Sequence, residues 1–225
     1  MKKKIILGLA VASAVLTLTG CKIDMGATIP LSGLLGDEIK TGSADLYVEV
    51  PGCNSYEDSR QPSNSLIEAK NEISQILPDS EFKECFNKKF DSYAHFSVPV
   101  AYGPANAVTD TTSQIRVLHN TDKDLAYVEF GPKLRQDLER ATRKPGISGG
   151  ISPSDLSIRL NIKNDTEKPV QADVAGVFAD DFPVIYADSV KFEPGKDWVF
   201  KLSDVSTSRL FDPENYAWFL SKIKK

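Results

Sequence analysis

Apolar and polar residues alternate over two long stretches. Ile23, Met25, Ala27 and Ile29 alternate with Lys22, Asp24, Gly26 and Thr28, and Leu156, Ile158, Leu160 and Ile162 with Ser157, Arg159, Asn161 and Lys163. A period of two places one set on a buried face and the other in water, so each stretch predicts a strand. The same reading gives strands over Ala44 to Val50, Ala94 to Tyr102, Gln114 to Leu118 and Leu125 to Phe130. Beyond residue 163 it gives Val170 to Phe178, Val184 to Ala187, Ser189 to Glu193 and Trp198 to Leu202. Helical spacing appears at Leu66, Ala69, Ile73 and Leu77, ending at Pro78, and at Leu134, Leu138 and Ala141 behind Pro132. Ser32 is expected to cap a short helical turn through Leu34, Leu35 and Ile39, which Gly42 breaks before the next strand. Tyr216, Phe219, Leu220 and Ile223 fall at helical intervals after Asp212 and Pro213, which predicts a terminal helix with Lys222, Lys224 and Lys225 at its negative end.

These elements predict an α+β fold. Its N-terminal part is mixed α/β with antiparallel strands, and its C-terminal part is an antiparallel β-sandwich-like unit closed by the terminal helix. Arg143 to Asp155, RKPGISGGISPSD, is dense in turn-forming residues and separates residues 21–142 from residues 156–225 as a linker or long loop. Two segments, IRVLHNTDK from Ile115 and IRLNIKNDTEK from Ile158, each carry a strand into an Asn/Thr/Asp turn and read as similar hairpins.

Residues 1–20 differ from the rest. Lys2, Lys3 and Lys4 precede an apolar run from Ile5 to Leu18, the layout of an export signal and too short for a spanning helix. The run ends in Leu18-Thr19-Gly20-Cys21, which resembles the lipobox of bacterial lipoproteins. That resemblance implies cleavage before Cys21, a diacylglyceryl thioether on its sulfur and an acylated amino group. Two or three acyl chains hold a protein on a bilayer far better than one, at about 0.8 kcal/mol per buried methylene. By resemblance to enterobacterial lipoproteins, Lys22 in place of Asp implies sorting to the outer membrane, facing the periplasm. The chain also resembles uncharacterised enterobacterial lipoproteins, a likeness that implies no activity.

Removing the signal changes the composition. It carries three of the 27 basic side chains, so the formal charge moves from -4 to -7, and nucleic acid is excluded as a partner because phosphate binding needs a basic face. With Cys21 lipidated, Cys53 and Cys85 form the remaining pair, and a disulfide is expected in an oxidising compartment, two free thiols being the alternative.

Candidate chemistry is sparse. His95 lies on the polar strand face and His119 beside a turn, both read as solvated surface residues. Asp180 and Asp181, with Asp188 nearby, could serve glycan hydrolysis or calcium, but they sit where a turn before Pro183 needs polar residues. Gly146-Ile-Ser-Gly-Gly150 lacks the lysine of a phosphate loop, and Asn164-Asp-Thr166 is only a formal glycosylation acceptor. Tyr216 and Trp218 are the candidate partner contacts. No catalytic residue, metal or cofactor is assigned. The sequence therefore predicts a non-catalytic, lipid-anchored envelope protein that works through contacts with another envelope protein. The alternatives are a carboxylate-dependent cell-wall or glycan hydrolase, and a carrier of a small apolar ligand, which needs an enclosed cavity.

Overall fold

A computed structural model describes residues 22–109, 113–143, 153–212 and 216–224. In chain order the strands are β1 (Ile23–Pro30), β2 (Lys40–Val50), β3 (Glu81–Lys88), β4 (Asp91–Pro104), β5 (Ile115–Asn120), β6 (Leu125–Phe130), β7 (Leu156–Lys163), β8 (Val170–Ala179), β9 (Phe182–Phe192), β10 (Asp197–Leu202) and β11 (Tyr216–Lys224). Four helices interrupt them: α1 (Leu31–Leu34), α2 (Asn64–Ile76), α3 (Pro132–Arg143) and α4 (Asp204–Ser208).

Nine strands close into a barrel in the order β1, β2, β4, β5, β6, β11, β8, β10, β7 and back to β1. β3 pairs with β4, and β9 with β8, outside that ring. This overturns the expected α+β arrangement with a C-terminal sandwich. The two most regular alternating stretches are neighbours: β1 and β7 run parallel and in register from Ile23↔Leu156 to Pro30↔Lys163. A second parallel pair joins β4 and β5, from Val100↔Ile115 to Pro104↔His119. Of the two look-alike segments, β5 and β6 form a hairpin. β7 instead pairs with β1 and β10, and β8 with β9, β10 and β11.

The inward positions are the apolar half of each alternation. Val100, Val117, Val128, Ile158, Phe200 and Phe219 are fully buried, each side chain contributing roughly 1.5–3 kcal/mol by leaving water. Asp24, Arg159 and Lys163 take exposed positions between them. Apolar inside and polar outside is the reverse of a membrane-spanning barrel.

The ring closes at β8. Because β9 covers one edge of β8, β11 and β10 share the other: Val174 pairs with both Ala187 and Leu220, and Val177 with both Val184 and Leu202. Gly176 lies between these pairs at φ +68°, and a Cβ there would stand 2.5 Å from Ser206 Oγ. That hydroxyl donates to the Gly176 carbonyl at 2.6 Å, so α4 is strapped onto the bend.

Three local expectations are corrected. Gly42 does not break β2; it lies inside the strand, where a Cβ would stand 3.1 Å from the Tyr102 ring, and at Gly33 a Cβ would stand 2.6 Å from the same ring. Ser32 does not cap α1, whose N-cap is Pro30; its hydroxyl and amide both donate to Asp165, at 2.5 and 2.8 Å, clasping α1 to the segment after β7. The terminal helix is the strand β11. Its register shifts between Trp218 and Leu220, so Ala217, Phe219 and Leu220 are all buried. One extra residue at a bulge turns a period of two into the three-four spacing that imitates a helix. β3, which carries no clean alternation, has a similar shift between Phe82 and Glu84.

Candidate functional site

Cys21 lies outside the described residues. Cys53 and Cys85 are joined by a disulfide with Cα atoms 5.6 Å apart. Because Cys85 sits on β3 opposite Ala94 of β4, the bridge pins the segment after β2 to the outer β3–β4 hairpin. Tyr216 and Trp218 lie on β11, with Ala217 between them pointing inward. The Tyr216 ring rests against Tyr127 of β6 with centroids 5.3 Å apart, beside the Arg116–Glu129 ion pair at 3.2 Å. Burial, reinforced by the charge of Glu129, pushes the Tyr127 phenol up to about 12. Trp218 keeps about a third of its surface in water, so the two candidate contact residues share an outward face, on a strand and not on a helix.

The histidines are more engaged than solvated surface residues would be. His95 stacks on Tyr47 with centroids 4.6 Å apart, and its Nε2 is 2.8 Å from Asp45 Oδ1; Glu84 lies 3.9 Å from Nδ1. Burial and then the charges of Asp45 and Glu84 raise the Tyr47 phenol. His119 is buried on β5, with Nε2 3.5 Å from Asp124.

Asp180 and Asp181 form the two-residue turn between β8 and β9. Both have positive φ, +46° and +68°, the conformation a tight hairpin with right-twisted strands requires. Asp180 Oδ1 also accepts the Val199 amide at 3.0 Å. Nothing is described of the Asp188 side chain, and Gly146 to Gly150 lie outside the described residues. Asn164 is fully buried: its amide donates to the Lys168 and Phe192 carbonyls, and its oxygen accepts from Thr166. It is a structural clasp that no glycan could reach.

The turn at Asp180-Asp181 opens the most apolar exposed segment. Phe182, Ile185 and Tyr186 of β9 are 74, 92 and 55% exposed. Among the described strands β9 pairs only with β8; near its end the Lys191 and Phe192 carbonyls take the Trp198 indole and the Asn164 amide, and ahead of them its other edge has no strand partner. The base of this arm is fixed. Tyr186 donates to the buried carboxylate of Asp173 at 3.1 Å, and the Lys222 ammonium lies 2.9 Å from the same carboxylate. Hydrogen bonds to Asp173 and then Tyr186 push the Lys222 amine above its ordinary value, holding it charged. Sequence alternation marked Val184 to Ala187 as strand. It could not show that this strand lies outside the barrel, where Val184, Val190 and Phe192 still pack toward the core while Phe182, Ile185 and Tyr186 meet solvent.

Among the described residues, no group of three or more His, Cys, Asp or Glu side chains is placed to hold a metal ion, and no helix is long and apolar enough to cross a membrane. The model of a family described as a domain of unknown function, DUF7424, matches residues 27–225. No curated protein and no solved structure matches the chain.

Proposed function

Because the chain belongs to the DUF7424 family, a domain of unknown function, we propose a role from its own surfaces: a non-catalytic, outer-membrane-anchored lipoprotein that faces the periplasm and captures an extended segment of an envelope protein along β9. The observation that carries this reading is the open edge of β9 with Phe182, Ile185 and Tyr186 in water. An added strand would gain main-chain hydrogen bonds from the edge and apolar contacts from those side chains.

Other features support the same reading. Apolar side chains fill the barrel interior, which favours a scaffold over a carrier of a small apolar ligand. Asp180 and Asp181 shape a turn, which accounts for the acidic pair without glycan hydrolysis. Lys22 accepts the Glu49 amide through its carbonyl at 2.9 Å, so the sheet begins one residue after the lipobox cysteine and the barrel would ride close to the bilayer.

Photo-crosslinking in intact cells tests the reading. A photoreactive residue at Ile185 should give a discrete adduct with an envelope protein, and the same residue at Thr28, on the outer face of β1, should not. Equal adducts at both positions, or none at Ile185, would contradict it.

A further inference from the structure

The two most exposed large hydrophobic residues among those described are Tyr56 and Phe90, at 104 and 103%. Both belong to the region that the Cys53–Cys85 disulfide holds together. Phe90 is the second residue of the two-residue turn between β3 and β4, which Lys88↔Asp91 closes. The first is Lys89 at φ +59°, a conformation that suits glycine or asparagine better than lysine. A stability-driven turn here would carry Asn-Gly. This one carries lysine and a bare phenyl ring.

The register fixes where that ring stands relative to the start of the chain. Ile23 pairs with Val48, and Val48 with Ala94, so β1, β2 and β4 are consecutive neighbours. Lys22 is bonded to Glu49, which pairs with Tyr93. One step further out along the sheet brings the level to Ser92, and Phe90 lies two residues beyond that. Sideways, it is separated from β1 by two inter-strand spacings, about 10 Å. The tip thus projects past the level of Lys22, at the end of β1 where the described chain begins. The hairpin behind it is stiff. Phe86 packs on Tyr93 at 5.9 Å and on Tyr47 at 6.0 Å, and Cys85 is bridged to Cys53.

We propose that the β3–β4 tip, Lys88-Lys89-Phe90, is a second membrane contact that places the Phe90 ring among phospholipid headgroups beside the acyl anchor. The inference rests on the anchor at Cys21 proposed above. Once acyl chains enter the bilayer next to Lys22, a tip that projects beyond that residue meets the interface, where aromatic rings are favoured and lysines face anionic headgroups. Lys22, Lys88 and Lys89 are offset by Asp24, Glu49 and Asp91, which all lie close enough to Tyr93 to raise its phenol after burial does so. The ring, not net charge, therefore carries the contact. Two attachment points would hold the barrel in one orientation, with the same end always toward the lipid.

The test uses the full-length protein purified from membranes and returned to vesicles of phosphatidylethanolamine and phosphatidylglycerol containing brominated lipid. Trp198→Phe and Trp218→Phe remove the native tryptophans, and Phe90→Trp or Ile185→Trp introduces a single reporter. Intact mass of the same sample reports acylation of Cys21. In acylated protein, residue 90 should be quenched several-fold more strongly than residue 185, with little change at high salt. Acylated protein with no quenching at residue 90, or with equal quenching at both positions, overturns the tip contact while leaving the anchor standing. Unacylated protein overturns the anchor and the tip contact with it.

Discussion

Single side chains decide how the connections of the barrel are held. Asn164 spends its whole side-chain hydrogen-bonding capacity on one site, and its backbone bonds Lys196 and Gly195 in the next turn. Asn164→Asp sets an acceptor oxygen against the Lys168 and Phe192 carbonyls in place of the donor amide and buries a charge, which should cost about 2–4 kcal/mol, read as a lower midpoint in chemical unfolding. Asp165 gives a pH-dependent counterpart. Burial alone would raise its carboxyl, but the Ser32 hydroxyl and amide, its own amide and the Lys40 charge together hold it below the usual carboxylate range. A depressed folded-state value means that the clasp's contribution is complete above the unfolded carboxylate range, near pH 3.9, and is lost as pH falls through the folded value. Asp165 is exposed, so a few tenths to about 1 kcal/mol is expected. Asp165→Asn should remove that acid-side loss in unfolding curves taken from pH 6 to pH 2. Neither role was legible in the sequence. Asn164, Asp165 and Thr166 read there as an exposed turn and a formal glycosylation site, because nothing local announces a partner 133 residues away.

At the scale of elements, the sequence revealed faces far better than partners. Every strand with clean alternation was found, because a buried face imposes its period directly on the chain. That β1 lies beside β7 was not legible, since alternation specifies what is buried and says nothing about which strand is alongside. Irregular elements were lost. β11 passed for a helix because its bulge spaces Tyr216, Phe219, Leu220 and Ile223 like helix positions, and β3 escaped because it packs on one neighbour and keeps mostly polar residues. The turns offer a direct check. Asp181 has φ +68° in an exposed hairpin turn, so Asp181→Gly should stabilise by about 0.5–1 kcal/mol. Gly176→Ala, with a similar φ, should destabilise, because Ser206 occupies the space. The disulfide belongs at this scale too. It closes a loop of sequence separation 32, so Cys53→Ser or Cys85→Ser should lower stability by about 3–4 kcal/mol on the chain-entropy model, and thermal unfolding without reductant reads it.

The whole molecule is a barrel filled with apolar side chains, polar outside, with two outer strands that carry its most conspicuous exposed residues. β9 offers an open edge, and β3 leads into the Phe90 tip. Of the residues singled out in the sequence, Cys53 and Cys85 are bridged, while Tyr216 lies beside Trp218 on an outward strand face and not on the apolar face of a helix. Phe182, Ile185 and Phe90 went unmarked, because an exposed apolar residue is conspicuous only once its strand is known to lie outside the barrel. Both outer strands acquire a defined setting only if the barrel is tethered to a membrane through Cys21. Metabolic labelling with radioactive palmitate, followed by gel separation of precursor and mature forms, tests that tether most directly. The wild-type protein should be labelled and shortened by its signal segment, and Cys21→Ser should remain unlabelled and at precursor size. Undiminished label in Cys21→Ser, or no label in the wild type, would contradict the account.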